Sequence, residues 1–181
     1  MGNLTNRLSD GRFQKNHESN AFLQRVKGVL ELGIFPDYLI KDTNYAEFTP
    51  IDEAASAVMT IARHFSTEQT VFHINSTKVI HFDKLFRYFN DLGFKVSLVD
   101  GAVFTETLRQ TAEQTGTAHI FETFINDMDE SDQLNYDSNI RIENDFTVQY
   151  LKQLGFQWSD IGMEYLRKYV EYFKSIGYLG G

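Results

Sequence analysis

The stretch that decides the fold is Phe48-Thr49-Pro50-Ile51-Asp52-Glu53-Ala54-Ala55, the end of an extended segment that turns directly into a helix. Thr49 is a good N-cap because its hydroxyl can accept a hydrogen bond from a first-turn N–H. Pro50 suits the first helical position, where a missing N–H costs nothing. Asp52 can reach back to the cap and faces the positive end of the helix dipole. The stretch therefore predicts a well-capped helix.

The predicted helix continues with one apolar stripe. Apolar residues recur at three- and four-residue spacing, which indicates one face packed on a core. The stripe comprises Ile51, Ala54, Ala55, Val58, Met59, Ala62 and Phe65. A core helix explains this pattern without any function, so functional evidence has to come from the flanking segments.

Composition excludes several classes of protein. The 181 residues suit one domain, or one domain with a small appendage. The absence of cysteine excludes a disulfide framework and a thiolate zinc site. A net charge of -8 disfavours nucleic acid and anionic membranes as partners. No apolar run approaches the ~20 residues of a membrane span, no signal peptide is visible, and we expect a cytoplasmic protein.

Two alternating segments flank a second helical pattern. Residues 70–75 and 94–99 alternate apolar and polar side chains, as half-buried strands do. Between them lies an apolar stripe at helical spacing that Gly93 closes: Phe82, Leu85, Phe86 and Phe89. Strand, helix and strand in this order favour a βαβ unit with parallel strands.

An earlier segment also reads as a helix. It covers residues 21–32, with Ser19 or Asn20 as a plausible cap and Gly33 as its end. Gly28 lies in its interior, where glycine costs about 1 kcal/mol relative to alanine. A close contact with a neighbouring element is therefore expected at Gly28.

The remaining regular structure is expected to be mostly helical. Residues 34–36 read as a loop, and residues 38–40 as a short extended segment. From Gly101 onward the chain reads as helices, the last of them opened by Ser159 or Asp160.

Motifs of known chemistry are absent from the sequence. The five histidines form no helical i, i+4 pair and no HExxH motif. There is no Gly-x-Ser-x-Gly elbow, no P-loop and no Gly-x-Gly-x-x-Gly turn. Asp52 and Glu53 are adjacent, but neighbouring helical residues point about 100° apart and do not share a proton. No catalytic residue and no metal site is predicted.

The polar opening segment, residues 2–20, is a candidate site. It is rich in turn-forming residues and in hydrogen-bonding groups. These include Asn3, Thr5, Arg7, Gln14, Asn16 and Asn20. Such a segment can line a pocket for a polar, uncharged ligand, since amides donate and accept without a charge to desolvate. A surface loop explains the composition equally well.

Several stretches together resemble one family. They are Gly2-Asn3-Leu4-Thr5-Asn6-Arg7, Ser9-Asp10-Gly11-Arg12-Phe13-Gln14, Asn20-Ala21-Phe22, Glu47-Phe48-Thr49-Pro50-Ile51-Asp52-Glu53-Ala54-Ala55, Val71-Phe72-His73-Ile74-Asn75 and Leu154-Gly155-Phe156-Gln157-Trp158. Their order and spacing resemble the later part of thioester reductase domains. These are extended short-chain dehydrogenase/reductase domains that terminate many nonribosomal peptide synthetases. The resemblance covers nearly the whole chain.

The resemblance implies reductive release. In that family NADPH reduces an acyl or peptidyl thioester, held on a carrier protein's phosphopantetheine arm, to an aldehyde and sometimes to an alcohol. The chemistry requires a Rossmann half for the dinucleotide and a Tyr-x-x-x-Lys pair. This sequence has neither the glycine-rich turn nor any tyrosine followed four residues later by lysine. It therefore resembles the carboxyl-terminal, substrate-side half: an α/β fold, mainly helical with a few short strands, its Rossmann half missing. Alone it is expected to be inactive and to bind no cofactor.

The resemblance assigns roles to particular positions. Gly2, Asn3 and Leu4 match the place where the family's backbone approaches the nicotinamide, so they are expected to touch NADPH in a complete enzyme. Five further residues match the segment that borders the substrate channel: Arg7, Phe13, Gln14, Asn16 and Asn20. The expected organisation is a pocket-lining loop over 1–20, the remaining α/β part over 21–100 and a helical lobe over 101–181.

The resemblance also implies partners. The helical lobe would face the carrier protein and its arm, and the Rossmann half is a second partner. Its absence predicts an exposed apolar face and self-association. Carrier proteins are commonly acidic, so a basic patch around Arg167 and Lys168 would have to offset the like charge. Two alternatives remain: a non-catalytic module that binds a carrier protein, and a fragment of a related acyl-CoA or carboxylic acid reductase.

Overall fold

The computed structural model describes residues 3–64, 71–114, 118–134 and 143–180. Its helices are α1 (Ala21–Leu32), α2 (Ile51–Arg63), α3 (Phe82–Asp91), α4 (Gly101–Gln114), α5 (Ala118–Asn126), α6 (Asp145–Gln153) and α7 (Met163–Ser175). Its strands are β1 (Leu4–Thr5), β2 (Ile34–Pro36), β3 (Tyr45–Glu47), β4 (Thr49–Pro50), β5 (Val79–His81) and β6 (Ser97–Val99). The expected α/β class, mainly helical with short strands, is confirmed. None of the helices in these ranges has the length and apolar character needed to cross a membrane.

The strands pair two at a time. β1 runs parallel to β4, with Leu4 opposite Thr49. β2 runs parallel to β6, with Ile34 opposite Ser97, and β3 pairs with β5. Parallel neighbours require a long crossover connection, which the intervening helices supply.

The chain forms two compact units, and each is assembled from three segments. The first unit consists of Met1–Phe13, Ala46–Ile80 and Asn139–Tyr172. The second consists of Gln14–Tyr45, His81–Ser138 and Phe173–Gly181. Each unit therefore draws on all three parts into which the sequence was divided.

The core of the first unit forms around α2. Its buried residues are Ala54, Ala57, Ile61, Ile74, Leu151 and Trp158. Leu4 of β1 and Phe72 pack against this cluster from partly buried positions. The strand that opens the chain is therefore tied to the same core as the helix that decides the fold.

The start of α2 differs from the sequence prediction. Pro50 is extended, with φ -58° and ψ 129°, and the helix begins at Ile51 without a side-chain cap. The hydroxyl of Thr49 instead donates to Glu47 Oε1 at 3.0 Å and accepts from the N–H of Ser76 at 2.9 Å. The predicted Thr49 cap is wrong because partners from elsewhere in the chain occupy its hydroxyl.

The inward face of α2 is narrower than predicted. Ala57 is buried although it lies off the predicted stripe, whereas Val58 and Met59 are 42% and 51% exposed. Phe65, the last residue of the predicted stripe, lies outside the described residues. The helix therefore has a second apolar face that the core does not cover.

The strand predictions were partly wrong. Residues 34–36 form a strand rather than a loop, and Asp37–Leu39 form a short 3₁₀ helix rather than an extended segment. The predicted strand 70–75 does not form over residues 71–75, and residue 70 lies outside the described residues. β6 occupies the end of the predicted strand 94–99, but its parallel partner is β2, so the predicted βαβ unit does not form. An alternating pattern indicates which side chains point toward the core. It does not indicate which backbone lies alongside, and strand pairing depends on that neighbour.

Three predictions for α1 are confirmed. Asn20 is its N-cap, accepting the N–H of Leu23 at 3.0 Å, and Gly33 ends it at φ +67°. The close contact expected at Gly28 is made with α5. A Cβ at this position would lie 2.5 Å from Cε2 of Phe124.

The last helix begins later than predicted. α7 starts at Met163, and neither Ser159 nor Asp160 caps it. The N–H and the hydroxyl of Ser159 both donate to the carboxylate of Glu53. The residues expected to point inward are all buried: Ile161, Tyr165, Leu166, Tyr169, Val170 and Phe173.

Candidate functional site

The candidate site is the loop from Asn3 to Phe13, which belongs to the first unit. Its backbone closes on itself between Arg7 and Arg12. The N–H of Arg7 donates to the carbonyl of Arg12, and the N–H of Gly11 donates to the carbonyl of Arg7, both at 2.9 Å. The loop therefore has its own hydrogen-bonded framework.

The first turn of α2 holds this loop through Asp52. Its Oδ1 accepts the N–H of Leu8 at 2.9 Å, and its Oδ2 accepts the N–H of Ser9 at 3.1 Å. Burial opposes ionisation of the carboxyl group, but these hydrogen bonds outweigh it and lower the pKa of Asp52 below its ordinary value. The sequence placed Asp52 in the helix cap, whereas the structure shows it anchoring the loop.

Two side chains of α7 also hold the loop. The buried Tyr165 donates its hydroxyl proton to the carbonyl of Asn6 at 2.9 Å and lies 2.7 Å from the hydroxyl of Thr5. Lys168 Nζ donates to the carbonyl of Leu8 at 3.2 Å. Burial raises the pKa of Tyr165 above its ordinary value, so the phenol stays protonated and acts as a structural donor.

The end of the loop lies close against α7. Gly11 has φ +73°, and a Cβ there would lie 2.5 Å from the carbonyl oxygen of Lys168. The hydroxyl of Tyr172 donates to the carbonyl of Phe13 at 3.4 Å. Position 11 therefore requires glycine both for its backbone conformation and for its lack of a side chain.

A carboxyl group that the sequence did not single out lies beside Asn3. Glu47 accepts the hydroxyl of Thr49 at 3.0 Å, and the N–H of Asn3 also donates to it. The N–H of Thr49 donates in turn to the carbonyl of Asn3 at 3.0 Å. Burial raises the pKa of Glu47 above its ordinary value, and the hydrogen bonds offset that shift only in part.

The structure places two of the three predicted cofactor residues. Asn3 is exposed, and its backbone is held between Glu47 and Thr49. Leu4 is half-buried on β1 and packs on the core of the first unit. Gly2 lies outside the described residues. The cofactor role of these residues stays a prediction, and only Asn3 of the two described presents an exposed side chain.

The predicted substrate residues are divided between the two units. Arg7 and Phe13 belong to the first unit, and Gln14, Asn16 and Asn20 belong to the second. In the first unit Arg7 donates from Nε to Asp10 Oδ1 at 2.8 Å and forms an ion pair with the same carboxylate. The guanidinium is therefore already engaged by a neighbour within the loop.

The substrate residues of the second unit flank a short 3₁₀ helix, His17–Ser19. Gln14 and Asn16 are exposed, and the carbonyl of Asn16 accepts the hydroxyl of Ser19 at 3.0 Å. The amide oxygen of Asn20 is used by the cap of α1. A helix cap thus explains Asn20 without a ligand, while the substrate role of all five residues stays a prediction.

These residues form a polar loop that hydrogen bonds to α2 and α7 hold in place. In the described parts of the chain no group of three or more His, Cys, Asp or Glu residues is placed to hold a metal ion. The sequence has no glycine-rich turn, and Leu4 is packed on the core. The loop can present fixed polar groups to a ligand.

Comparison with known proteins gives matches among solved structures. No family model and no curated protein matches the sequence. A thiolation-reductase di-domain from an archaeal nonribosomal peptide synthetase superposes with a TM-score of 0.79 at 28% identity. The terminal R domain of the myxalamid PKS-NRPS pathway has a TM-score of 0.78 at 14% identity. The reductase domain of the aureusimine cluster has a TM-score of 0.74 at 19% identity.

The fold is therefore that of the reductase domains of nonribosomal peptide synthesis, and the resemblance seen in the sequence is confirmed. The matches cover 97–98% of this chain but only 35%, 43% and 44% of the three solved chains. The chain thus spans less than half the length of the reductase structures that it matches. Its fold is that of part of such a reductase domain.

Proposed function

We propose that the chain is the substrate-binding, carboxyl-terminal portion of an NADPH-dependent thioester reductase of the extended short-chain dehydrogenase/reductase fold. The complete enzyme releases a carrier-bound peptidyl or acyl thioester as an aldehyde or alcohol in the cytoplasm, and this portion is inactive alone. One observation carries the proposal: 98% of the chain superposes on 35% of a thiolation-reductase di-domain. The ordered sequence motifs support its assignment to the carboxyl-terminal side.

Within this proposal the backbone of Asn3 and Leu4 lies toward the nicotinamide, while the side chain of Leu4 packs on the core. The anchors on α2 and α7 support such a role because a site is useful only when its groups are held in place before the ligand arrives. Glu47 accepts a hydrogen bond from the backbone N–H of Asn3. We therefore assign Glu47 the role of a positioning residue. Arg7 and Phe13 of the same loop border the substrate.

A dinucleotide-binding half is the first partner of the proposal. Parallel strands occur almost only in sheets whose two faces are covered, and β1 and β4 are each two residues long. Val58 and Val71 of the first unit are 42% and 58% exposed. The short parallel strands and the exposed apolar side chains of this unit both support docking of further polypeptide on it.

A carrier protein with its phosphopantetheine arm is the second partner. The archaeal structure joins thiolation and reductase domains in one chain, as its description states. A reductase that accepts its substrate from a thiolation domain has to admit an extended, uncharged pantetheine thioester. A loop rich in amide and backbone donors suits such a ligand.

Complementation tests the proposal. The dinucleotide-binding half of the archaeal thiolation-reductase protein is produced separately and mixed with this chain, with an acyl-pantetheine thioester as probe. We expect neither half alone to consume NADPH and the mixture to consume it. A variant with Asp52→Ala, which frees the loop, should lower the turnover of the mixture. A stable complex of the two halves that never oxidises NADPH would contradict the reductase role.

Titration of the chain alone with NADPH gives a second test. Calorimetry is expected to show no binding, because the glycine-rich turn is absent from the sequence. Micromolar binding by the folded chain would mean that these residues contain a complete dinucleotide site, and the assignment to a substrate-side portion would be wrong.

A further inference from the structure

A short surface segment of the second unit is attached through one side chain. The segment covers residues 14–19 and ends in the 3₁₀ helix His17–Ser19. Residues 14–19 are all exposed except His17, which is half-buried. The predicted substrate residues Gln14 and Asn16 therefore lie on a segment whose inward side chain is His17.

His17 packs on two aromatic rings. Its ring centroid lies 4.9 Å from that of Tyr178, and the two ring planes are almost perpendicular, at 87°. It also lies 6.0 Å from the ring centroid of Phe173, which is fully buried. Such tilted and perpendicular arrangements are favourable contacts between aromatic side chains. From α1, Gln24 donates to the carbonyl of Glu18 at 2.8 Å, so ring packing and this hydrogen bond hold the segment.

The end of α7 sets the position of Tyr178. Gly177 adopts φ +72°, and its N–H donates to the carbonyl of Lys174 at 3.1 Å. The N–H of Tyr178 donates to the carbonyl of Phe173 at 2.9 Å. A left-handed glycine with these two bonds is the Schellman motif that ends many helices. The rings of Tyr178 and Phe173 then lie 5.1 Å apart, so the helix end places the tyrosine beside its own last turn.

A second element contacts the same ring. Lys27 of α1 places its Nζ 4.5 Å from the ring centroid of Tyr178, which is a cation–π contact. Tyr178 is 8% exposed, and its hydroxyl has no hydrogen-bond partner among the described residues. The aromatic ring, and not the hydroxyl, therefore makes the contacts of Tyr178 with Lys27 and His17.

We propose that Tyr178 is a positioning residue for the substrate: its ring holds His17 and thereby orders the backbone that carries Gln14 and Asn16. The inference rests on the proposed function, from which it takes an acyl-pantetheine thioester as the substrate class. Gln14 and Asn16 offer neutral donors and acceptors, which suit the amide groups of a pantetheine chain. A segment that is ordered before the ligand arrives binds it at a smaller cost in conformational entropy.

Hydrogen exchange of the full chain, followed by NMR, tests whether the ring of Tyr178 orders the segment. The N–H groups of Ser19 and Asn20 donate to the carbonyls of Asn16 and His17, so their exchange rates report local opening. We expect Tyr178→Leu to raise both rates by about tenfold. Tyr178→Phe keeps the ring and should leave both rates unchanged. Wild-type rates in Tyr178→Leu overturn the proposal.

Two histidine variants provide a second variant and a matched control. His17→Ala removes the other side of the contact, leaves the helix end intact and should reproduce the faster exchange. His81 packs on Tyr45 elsewhere in the second unit in a similar way, with ring centroids 6.1 Å apart and planes at 80°. His81→Ala should therefore leave the exchange of Ser19 and Asn20 unchanged. An equal effect of His81→Ala overturns the proposal, because the segment then responds to any loss of packing.

Titration with an acyl-pantetheine thioester tests the binding role. Amide signals of residues 14–20 should shift on addition of the thioester. The dissociation constant should rise by about tenfold in Tyr178→Leu and in His17→Ala, but not in Tyr178→Phe. The double variant should bind no more weakly than either single variant, because both substitutions remove one contact.

Two results of this titration overturn the proposal: wild-type signals of residues 14–20 that do not move, and Tyr178→Phe binding as weakly as Tyr178→Leu. The titration involves neither NADPH nor turnover. A complementation mixture that fails to oxidise NADPH would therefore count against the reductase role alone, whereas unchanged binding in Tyr178→Leu would count against the positioning role alone.

Discussion

Gly11 and Gly155 share a left-handed backbone in very different surroundings, with φ +73° and +82°. A side chain in this conformation costs roughly 1–2 kcal/mol. At position 11 a Cβ would also lie 2.5 Å from the carbonyl oxygen of Lys168, whereas nothing lies within 4 Å at position 155. We therefore expect Gly11→Ala to lower the free energy of unfolding clearly more than Gly155→Ala. Urea denaturation measures both, and equal losses would show that α7 moves aside at no cost.

Asp52 makes the stability of the loop depend on pH. The pKa of this carboxyl group is lowered from 3.8 in the folded chain, because hydrogen bonds from Leu8 and Ser9 outweigh the opposing effect of burial. The charged form is the one that folding favours, so its stabilisation is complete above pH 3.8 and is lost as the pH falls through the folded-state pKa. We therefore expect the free energy of unfolding of Asp52→Asn to fall less than that of the wild type as the pH is lowered into the acid range.

The control for this experiment is Glu130→Gln, which changes an exposed carboxylate. Its acid dependence, followed by urea denaturation at a series of pH values, should match that of the wild type. An unchanged acid dependence in Asp52→Asn would mean that the carboxylate does not hold the loop.

At the scale of elements, the packing of α1 on α5 depends on Gly28. Alanine at an exposed helical site stabilises by roughly 0.5–1 kcal/mol relative to glycine. Here the added Cβ would lie 2.5 Å from the buried ring of Phe124, so the helices have to separate or the ring has to move. We expect Gly28→Ala to cost about 1–3 kcal/mol, as overpacked cores do.

The same substitution made together with Phe124→Leu tests the cause. A smaller side chain at position 124 relieves the overlap, so the cost of Gly28→Ala should largely disappear in that background. Thermal unfolding of the four variants gives the coupling energy. If the effects of the two substitutions are additive, the overlap between position 28 and the ring of Phe124 is not what makes Gly28→Ala costly.

At the scale of the whole molecule, net charge affects the proposed encounter with an acidic carrier protein. The chain carries a net charge of -8. The basic patch expected near α7 is already engaged, since Arg167 lies 3.3 Å from Glu164 and Lys168 donates to the carbonyl of Leu8. Like charges slow association, and salt screens them. The association rate with a separately produced thiolation domain should therefore rise with ionic strength.

Surface plasmon resonance at increasing salt measures this rate. A rate that falls with salt would contradict the expectation and would reveal a local basic surface that guides the carrier protein. The immobilised control is the same thiolation domain with its acidic surface residues neutralised, for which the rate should change little.

Local signals predicted the two ends of α1 and the inward face of α7. The cap at Asn20 and the ending at Gly33 lie within a few residues of the hydrogen bonds that they make or terminate. The inward face of α7 follows from a spacing that any amphipathic helix shows. Such patterns need no knowledge of distant residues, and the loop of residues 2–20 could likewise be recognised as a candidate site from its composition.

The sequence by itself determined the helices, the α/β class and the resemblance to terminal reductase domains. Only the tertiary structure decided which strands pair, which apolar face of α2 is buried and what holds the loop. Asp52 reaches Leu8 across 44 positions, and Tyr165 reaches Thr5 across 160. A hydroxyl or carboxylate bonds whichever donor or acceptor the fold brings near, because a buried polar group left unpaired costs about 1–3 kcal/mol. The hydroxyl of Thr49 therefore does not cap α2. It bonds instead to Glu47 and Ser76, which the fold brings within reach.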